Sequence, residues 1–158
     1  MANYYLTNRA VEDLSEIWNY TNGQITHIVS AMGTTRTIMG VSRFIKEKNP
    51  NVQIIGCQPT AGSKIPGIRR WPKEYLPKFF EPERVDRTID ISQSDAEKQA
   101  RWLASKVGLF CGISAAGATL VAQQVCSELP EGIVVTVICD RGDRYLSAPV
   151  FEQSGVQV

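Results

Sequence analysis

The strongest constraint on the fold is a set of short runs that are largely apolar and rich in β-branched residues: Ile25-Thr-His-Ile-Val-Ser-Ala-Met32, Val52-Gln-Ile-Ile-Gly-Cys57 and Ile133-Val-Val-Thr-Val-Ile-Cys139. A strand with one wet face alternates apolar and polar residues. A strand without alternation is buried on both faces, as in a parallel sheet covered by helices on each side. The intervening segments supply those helices. Val11, Leu14, Ile17 and Trp18 recur with helical spacing before Asn22-Gly23, and Ile38, Val41 and Ile45 do so before Asn49-Pro50. Ala96, Ala100, Leu103, Ala104 and Val107 form a third stripe closed by Gly108 as a left-handed cap, and Val121, Val125 and Leu129 form a fourth. Thr88-Ile-Asp-Ile-Ser92 alternates as a further strand, Ser94-Asp-Ala-Glu97 reads as a capping box, and Leu109 opens a second strand-loop-helix unit through Gly112-Ile-Ser114-Ala-Ala-Gly117. The expected class is α/β with a parallel sheet.

Ligands of such sheets bind beyond the C-terminal ends of the strands, which singles out the loops at Gly33, Gly112 and Asp140. The long stretch from Gln58 to Val85 has no sustained period and is rich in Pro, Gly, Arg and aromatics. Trp71, Tyr75, Phe79 and Phe80 make it a packed excursion over the domain surface. With 158 residues, 43% apolar and 21% charged, the chain suits one domain, expected over 1–151 with a polar tail at 152–158. A net charge of +1 gives no field favouring nucleic acid or an anionic membrane. There is no basic-then-apolar leader and no apolar run near the ~20 residues that span a bilayer, so the expected location is cytoplasmic. Cys57, Cys111, Cys126 and Cys139 form no C-x-x-C pair and accompany one histidine, so no metal site is expected; the first three read as small core residues.

Gly33-Thr34-Thr35-Arg36-Thr37 combines a turn-forming glycine, three hydroxyls and a helix start whose amides and dipole favour an anion. Those are the parts of a phosphate cradle; the same hydroxyls equally suit helix capping. Ser114, beside Gly112, has the same two readings. Arg69 and Arg70 taken alone are a solvated basic pair, and Cys139 taken alone is core.

Three motifs in order resemble the fold-type-II pyridoxal-phosphate enzymes, and among them the cysteine synthases. Ile25 to Ser42 is similar to their phosphate strand and loop, Cys111-Gly-Ile-Ser-Ala-Ala-Gly117 to their G-[IV]-S-S-G segment, and Cys139-Asp-Arg-Gly-Asp-Arg-Tyr-Leu-Ser147 to their D-x-G-[DE]-R-Y-L-S. Ile65-Pro-Gly-Ile-Arg-Arg-Trp-Pro72 and the Cys-Asp-Arg-Gly-Asp form point to the type B branch, cysteine synthase B. The resemblance covers about residues 3–151 and corresponds to the C-terminal half. It implies a Rossmann-like three-layer sandwich, the large domain of a tryptophan-synthase-β-like fold. It implies that Gly33, Thr34, Thr35 and Thr37 hold the phosphate of pyridoxal phosphate and that Ser114 faces the ring nitrogen, with Asp140 near the ring. A neutral hydroxyl there leaves that nitrogen unprotonated, a mild electron sink suited to β-replacement. Arg69, Arg70 and Cys139 correspond to positions at the mouth of the site, tied to sulfur donors as large as thiosulfate. Asp143 and Arg144 correspond to structural ion pairs.

The implied reaction converts O-acetylserine and sulfide or thiosulfate to cysteine or S-sulfocysteine. A serine or threonine dehydratase shares the fold, but the Arg69, Arg70 and Cys139 environment argues against it. The family's Schiff-base lysine and its substrate-carboxylate loop have no match here, since Lys46 and Lys48 close a helix and Lys64, Lys73 and Lys78 lie in the excursion. The chain alone is therefore expected to be inactive, needing a complementing N-terminal half; the other reading is a non-catalytic module that binds phosphate or the cofactor non-covalently, or serves as a partner domain. Apolar surface left by a missing half predicts self-association. Two departures stand out: Ala115-Ala116 replaces Ser-Gly, and Arg36 replaces the second loop glycine. If Arg36 needs φ > 0, it costs roughly 1 kcal/mol.

Overall fold

The computed structural model describes residues 6–151, so the expected tail at 152–158 lies outside the described residues. Four helices and four strands carry the fold: α1 (Asn8–Tyr20), β1 (Ile25–Ala31), α2 (Arg36–Lys48), β2 (Gln53–Pro59), β3 (Arg87–Ile91), α3 (Gln93–Trp102), α4 (Ile113–Glu128) and β4 (Ile133–Thr136). The sheet has the order β3-β2-β1-β4 and every pairing is parallel. Side chains alternate across it as strand geometry requires. Val52 and Ile54 pack with Leu14, Ile38, Val41 and Ile45 of α1 and α2, while Ile55 and Cys57 pack with Ala96 of α3 and Val121 and Val125 of α4. The result is a three-layer α/β/α sandwich. Ile38, Ile45 and Ile54 are completely buried, each worth about 1.5–3 kcal/mol over leaving it exposed.

The buried runs formed strands because both faces are covered, and one irregularity keeps the pattern intact. Ile25 pairs with Ile133 and His27 with Val134, so β1 bulges between them. The extra residue lets Ile25 and Ile28 point to the same helical layer despite odd spacing. Thr26 fills the bulge: its hydroxyl accepts from Ile133 N at 3.1 Å and lies 2.8 Å from Nδ1 of His27. The one histidine thus has a local structural partner. Among the described residues no group of His, Cys, Asp and Glu could hold a metal, and no helix is long and apolar enough to cross a membrane.

Several expectations need correction. The capping box sits two residues earlier than Ser94 and Glu97: Ser92 Oγ accepts from Asp95 N at 3.1 Å and donates to Asp95 Oδ2 at 2.6 Å, because β3 already ends at Ile91. Leu109 to Cys111 is not a strand; its β pairing is one isolated antiparallel bridge from Cys111 to Arg141, since the segment follows α3 too closely to enter the sheet. The α3 stripe stops at Leu103. There the helix widens into a π turn, Leu103–Val107, which rotates Val107 out to 55% exposure before Gly108 closes it at φ +75°. β4 ends at Thr136 rather than Cys139, and all four of its residues are half-buried because nothing described pairs with its outer edge. Cys126 is exposed rather than core, lying on the outer side of α4. Asp143 forms an ion pair as expected, with Arg141.

The expected packed excursion begins at Thr60 rather than Gln58, because β2 runs on to Pro59, and Tyr75 is 69% exposed rather than packed. Ile65 and Ile68 are buried with the α3–α4 layer, and Phe79, Phe80 and Val85 pack against the α1–α2 layer, so the segment crosses the end of the sheet. It is fastened where β1 stops. Arg69 N donates to Met32 O at 2.9 Å and Trp71 Nε1 to Gly33 O at 2.7 Å. Farther along, Glu81 pairs with Arg43 and Arg84, and Asp86 takes Lys46 Nζ at 2.8 Å and Ile54 N at 2.7 Å.

Candidate functional site

β1 delivers the chain to the carboxyl end of the sheet, and the turn into α2 makes a small cavity of about 180 Å³. Gly33, Thr34, Thr35 and Thr37 line it from the loop, Gly67 from the excursion, and Val137 and Cys139 from the segment after β4. Four residues expected to hold phosphate therefore share one wall. Thr35 is the singular member: it is 2% exposed, adopts a left-handed φ of 64°, and makes no side-chain bond to the start of α2. Its Oγ1 is buried without a hydrogen-bond partner. The capping reading fails here, because a capping threonine would bond an amide of the first turn. An orphaned buried hydroxyl costs roughly 1–3 kcal/mol, and an anion at the helix start would satisfy it.

The positive φ belongs to Thr35, not Arg36. Arg36 is the first residue of α2, free of that strain, and its guanidinium stacks over the Phe79 ring at 5.8 Å.

Ser114 is also no cap. The N-cap of α4 is Gly112, and Ser114, 3% exposed, donates its hydroxyl to Asp140 Oδ1 at 2.9 Å. Ala115 N donates to the same oxygen at 3.2 Å and Tyr145 Oη to Oδ2 at 2.6 Å. Cys139 Sγ lies 3.4 Å from Ser114 Oγ. Cys139 is exposed rather than core, yet desolvation pushes its thiol up, which keeps it protonated at neutral pH. Burial likewise raises Tyr145, with Asp140 adding to the effect, and pushes Cys57 up to about 12. Ser114 and Asp140 thus stand directly behind Cys139 at one end of the cavity.

Gly67 is the residue that sequence reasoning missed. It sits at φ +87°, and a Cβ there would come within 2.9 Å of Ser114 Oγ. A Cβ on Gly33 would collide with the carbonyl oxygen of Gly67. Two glycines from distant loops therefore touch backbone to backbone, closing the cavity between the Gly33 loop and Ser114. The Pro-Gly step inside Ile65–Pro72 was the available signal. Arg69 and Arg70 do not enter this cavity; they line a neighbouring open cleft of about 780 Å³ with Thr60, Lys64 and Trp71. There Arg70 is held by Asp90 and by Pro59 O at 3.2 Å, while Arg69 stacks over Trp71 at 5.5 Å.

The fold is a parallel α/β/α sandwich with a hydroxyl-lined cavity at the strand-to-helix turn, and a model of the pyridoxal-phosphate dependent enzymes matches residues 11–140: the chain belongs to that family. Within it, the chain is similar to cysteine synthase B. It is 57% identical over 137 residues to that of Pseudomonas aeruginosa, covering 87% of this chain and 46% of that protein. It is likewise 57% identical over 136 residues to that of Escherichia coli, covering 86% and 45%. Among solved structures, cysteine synthase of Entamoeba histolytica matches with a TM-score of 0.81 at 30% identity, covering 94% of this chain and 46% of that one. The O-acetylserine-dependent cystathionine β-synthase of Helicobacter pylori matches at 0.75 and 32%, covering 87% and 47%. The chain spans about half the length of the relatives it matches.

Proposed function

We propose that residues 1–151 form the larger, phosphate-holding domain of a pyridoxal-phosphate-dependent cysteine synthase, which replaces the acetoxy group of O-acetylserine by sulfide or thiosulfate. The observation that carries this reading is the buried, unpartnered Thr35 hydroxyl at the start of α2. Gly33, Thr34, Thr35 and Thr37 hold the phosphate, and Ser114, backed by Asp140, faces the ring nitrogen. Cys139 borders the site, and Arg69 and Arg70 meet the incoming sulfur donor from the adjoining cleft. Pyridoxal phosphate supplies an aldehyde and an electron-withdrawing ring that labilise bonds at the α and β carbons of an amino acid. This chain supplies an anion cradle, a wall against water and a fixed hydroxyl.

Among the described residues no lysine lines the cavity, and Lys64 borders only the open cleft. Turnover therefore requires a lysine from a complementing N-terminal segment, and the isolated chain should form no cysteine from O-acetylserine and sulfide. That same observation favours the second reading, a module that holds the cofactor without covalent attachment. Titration with inorganic phosphate and with pyridoxal phosphate tests the cradle, borohydride reduction tests covalent attachment, and an O-acetylserine assay tests catalysis. Binding without labelling or turnover supports the proposal for the isolated chain. Absence of binding, a single labelled lysine, or cysteine formation would each contradict part of it.

A further inference from the structure

α2 begins with a cation. Arg36 is its first residue, no acidic residue stands in the first turn, and the side chain is exposed. The amides and dipole of a helix start already carry partial positive charge, so a guanidinium there is repelled. Several other arginines meet carboxylates: Arg43 and Arg84 meet Glu81, Arg70 meets Asp90, and Arg87 meets Glu128. Among the described residues no carboxylate pairs with Arg36, and its guanidinium rests over the Phe79 ring at 5.8 Å. Two observations tie this cation to the cavity at the end of β1. Its neighbours on both sides, Thr35 and Thr37, line that cavity, and the Thr35 hydroxyl is buried without a partner. An unneutralised helix start, a guanidinium without a carboxylate and an orphaned hydroxyl all lack the same thing, a negative charge with acceptor oxygens.

We propose that Arg36 is a phosphate-binding residue of this chain, held in reserve on Phe79 and passing from the ring to a phosphoryl group bound at the start of α2. This rests on the reading of Gly33 to Thr37 as a phosphate cradle and goes beyond it, because the loops it resembles carry glycine where this chain has Arg36. The relative strengths of the two contacts set the direction. A guanidinium over an exposed ring gains less than one forked onto phosphate oxygens, where two charge-assisted hydrogen bonds form together. The bound anion also removes the repulsion between Arg36 and the helix start. Occupancy of the cradle therefore competes with the Arg36–Phe79 contact. Phe79 belongs to the excursion packed against the α1–α2 layer, so the loaded cradle gives up one of the contacts that fasten this segment to α2. The bonds from Arg69 N to Met32 O and from Trp71 Nε1 to Gly33 O are untouched by the exchange.

Calorimetric titration of the intact chain with inorganic phosphate, and in parallel with pyridoxal phosphate and with pyridoxal, tests the exchange. Arg36→Ala should weaken both phosphate-bearing ligands about tenfold and leave pyridoxal unchanged. Arg36→Lys, which keeps the charge without the fork, should recover part of that loss. Phe79→Leu removes the competing ring, so inorganic phosphate should bind about two- to fivefold more tightly. Equal phosphate affinity in the wild-type chain and Arg36→Ala, an equal loss for pyridoxal, or no tightening in Phe79→Leu overturns the proposal. Failure of phosphate to bind the wild-type chain refutes the cradle reading instead, and takes the proposal with it.

Discussion

Thr35 concentrates the cost and the use of the site in one residue. A β-branched residue at φ 64° pays roughly 1–2 kcal/mol for the left-handed conformation, and its orphaned hydroxyl adds to that. Thr35→Gly should therefore raise the stability of the ligand-free chain by about 1 kcal/mol, a rise of a few degrees in Tm, while weakening phosphate binding. Thr35→Ala keeps the strain and loses the hydroxyl; since a hydrogen bond to a charged group is worth about 1.5–3 kcal/mol, affinity for phosphate should fall about tenfold or more. Thermal melts with and without phosphate separate the two effects. Gly67→Ala meets both a positive φ and the Ser114 hydroxyl, and should cost about 1–3 kcal/mol, with the loss of phosphate-dependent stabilisation as its second readout.

At the scale of elements, the excursion depends on a few polar fasteners. Trp71→Phe keeps the ring and removes the 2.7 Å bond to Gly33 O, so it should destabilise by about 1 kcal/mol and expose the segment between Thr60 and Pro72 to limited proteolysis. Glu81 is held below the ordinary carboxylate range, first by its hydrogen bond from Arg84 and then by that from Arg43. A depressed folded pKa means this clamp contributes fully above the unfolded pKa and is lost as pH falls through the folded one. Proteolysis of the excursion should accordingly rise in acid, and Glu81→Gln should show the acid behaviour already at neutral pH. The helices explain why boundaries were harder to read than centres. Ser92-Gln-Ser-Asp-Ala-Glu97 contains two overlapping capping patterns, and only the point where β3 leaves the sheet decides between them.

For the whole molecule, the two sheet edges differ in kind. β3 carries Arg87 and Asp90, engaged with Glu128 and Arg70, and such charges discourage further pairing. β4 is Ile133-Val-Val-Thr136, without a charge and half-buried throughout, followed by Ile138 at 41% exposure. Trp102, Val107, Phe110 and Leu146 add exposed apolar surface. The isolated chain should therefore self-associate with rising concentration in sedimentation, and Ile138→Lys should lower that tendency if the β4 edge carries it. A monomer at all concentrations would count against this reading of the edge.

Local pattern determined what local physics controls: that the long apolar runs are strands, which faces most of the helices bury, and that a hydroxyl-rich turn with a glycine opens α2. The order of motifs along the chain also carried the family resemblance. What tertiary structure decided was every matter of contact between distant segments. Thr35 rather than Arg36 takes the left-handed turn, Gly67 closes on Gly33 and Ser114, Arg69 and Arg70 fall into a separate cleft, and Leu109 to Cys111 stays out of the sheet. Periodicity reports the burial of a face; the partner of one hydroxyl or one carbonyl depends on how segments tens of residues apart are brought together. The Gly33 loop was visible in the sequence as an anion site or a cap, and packing leaves the Thr35 hydroxyl buried without a capping bond.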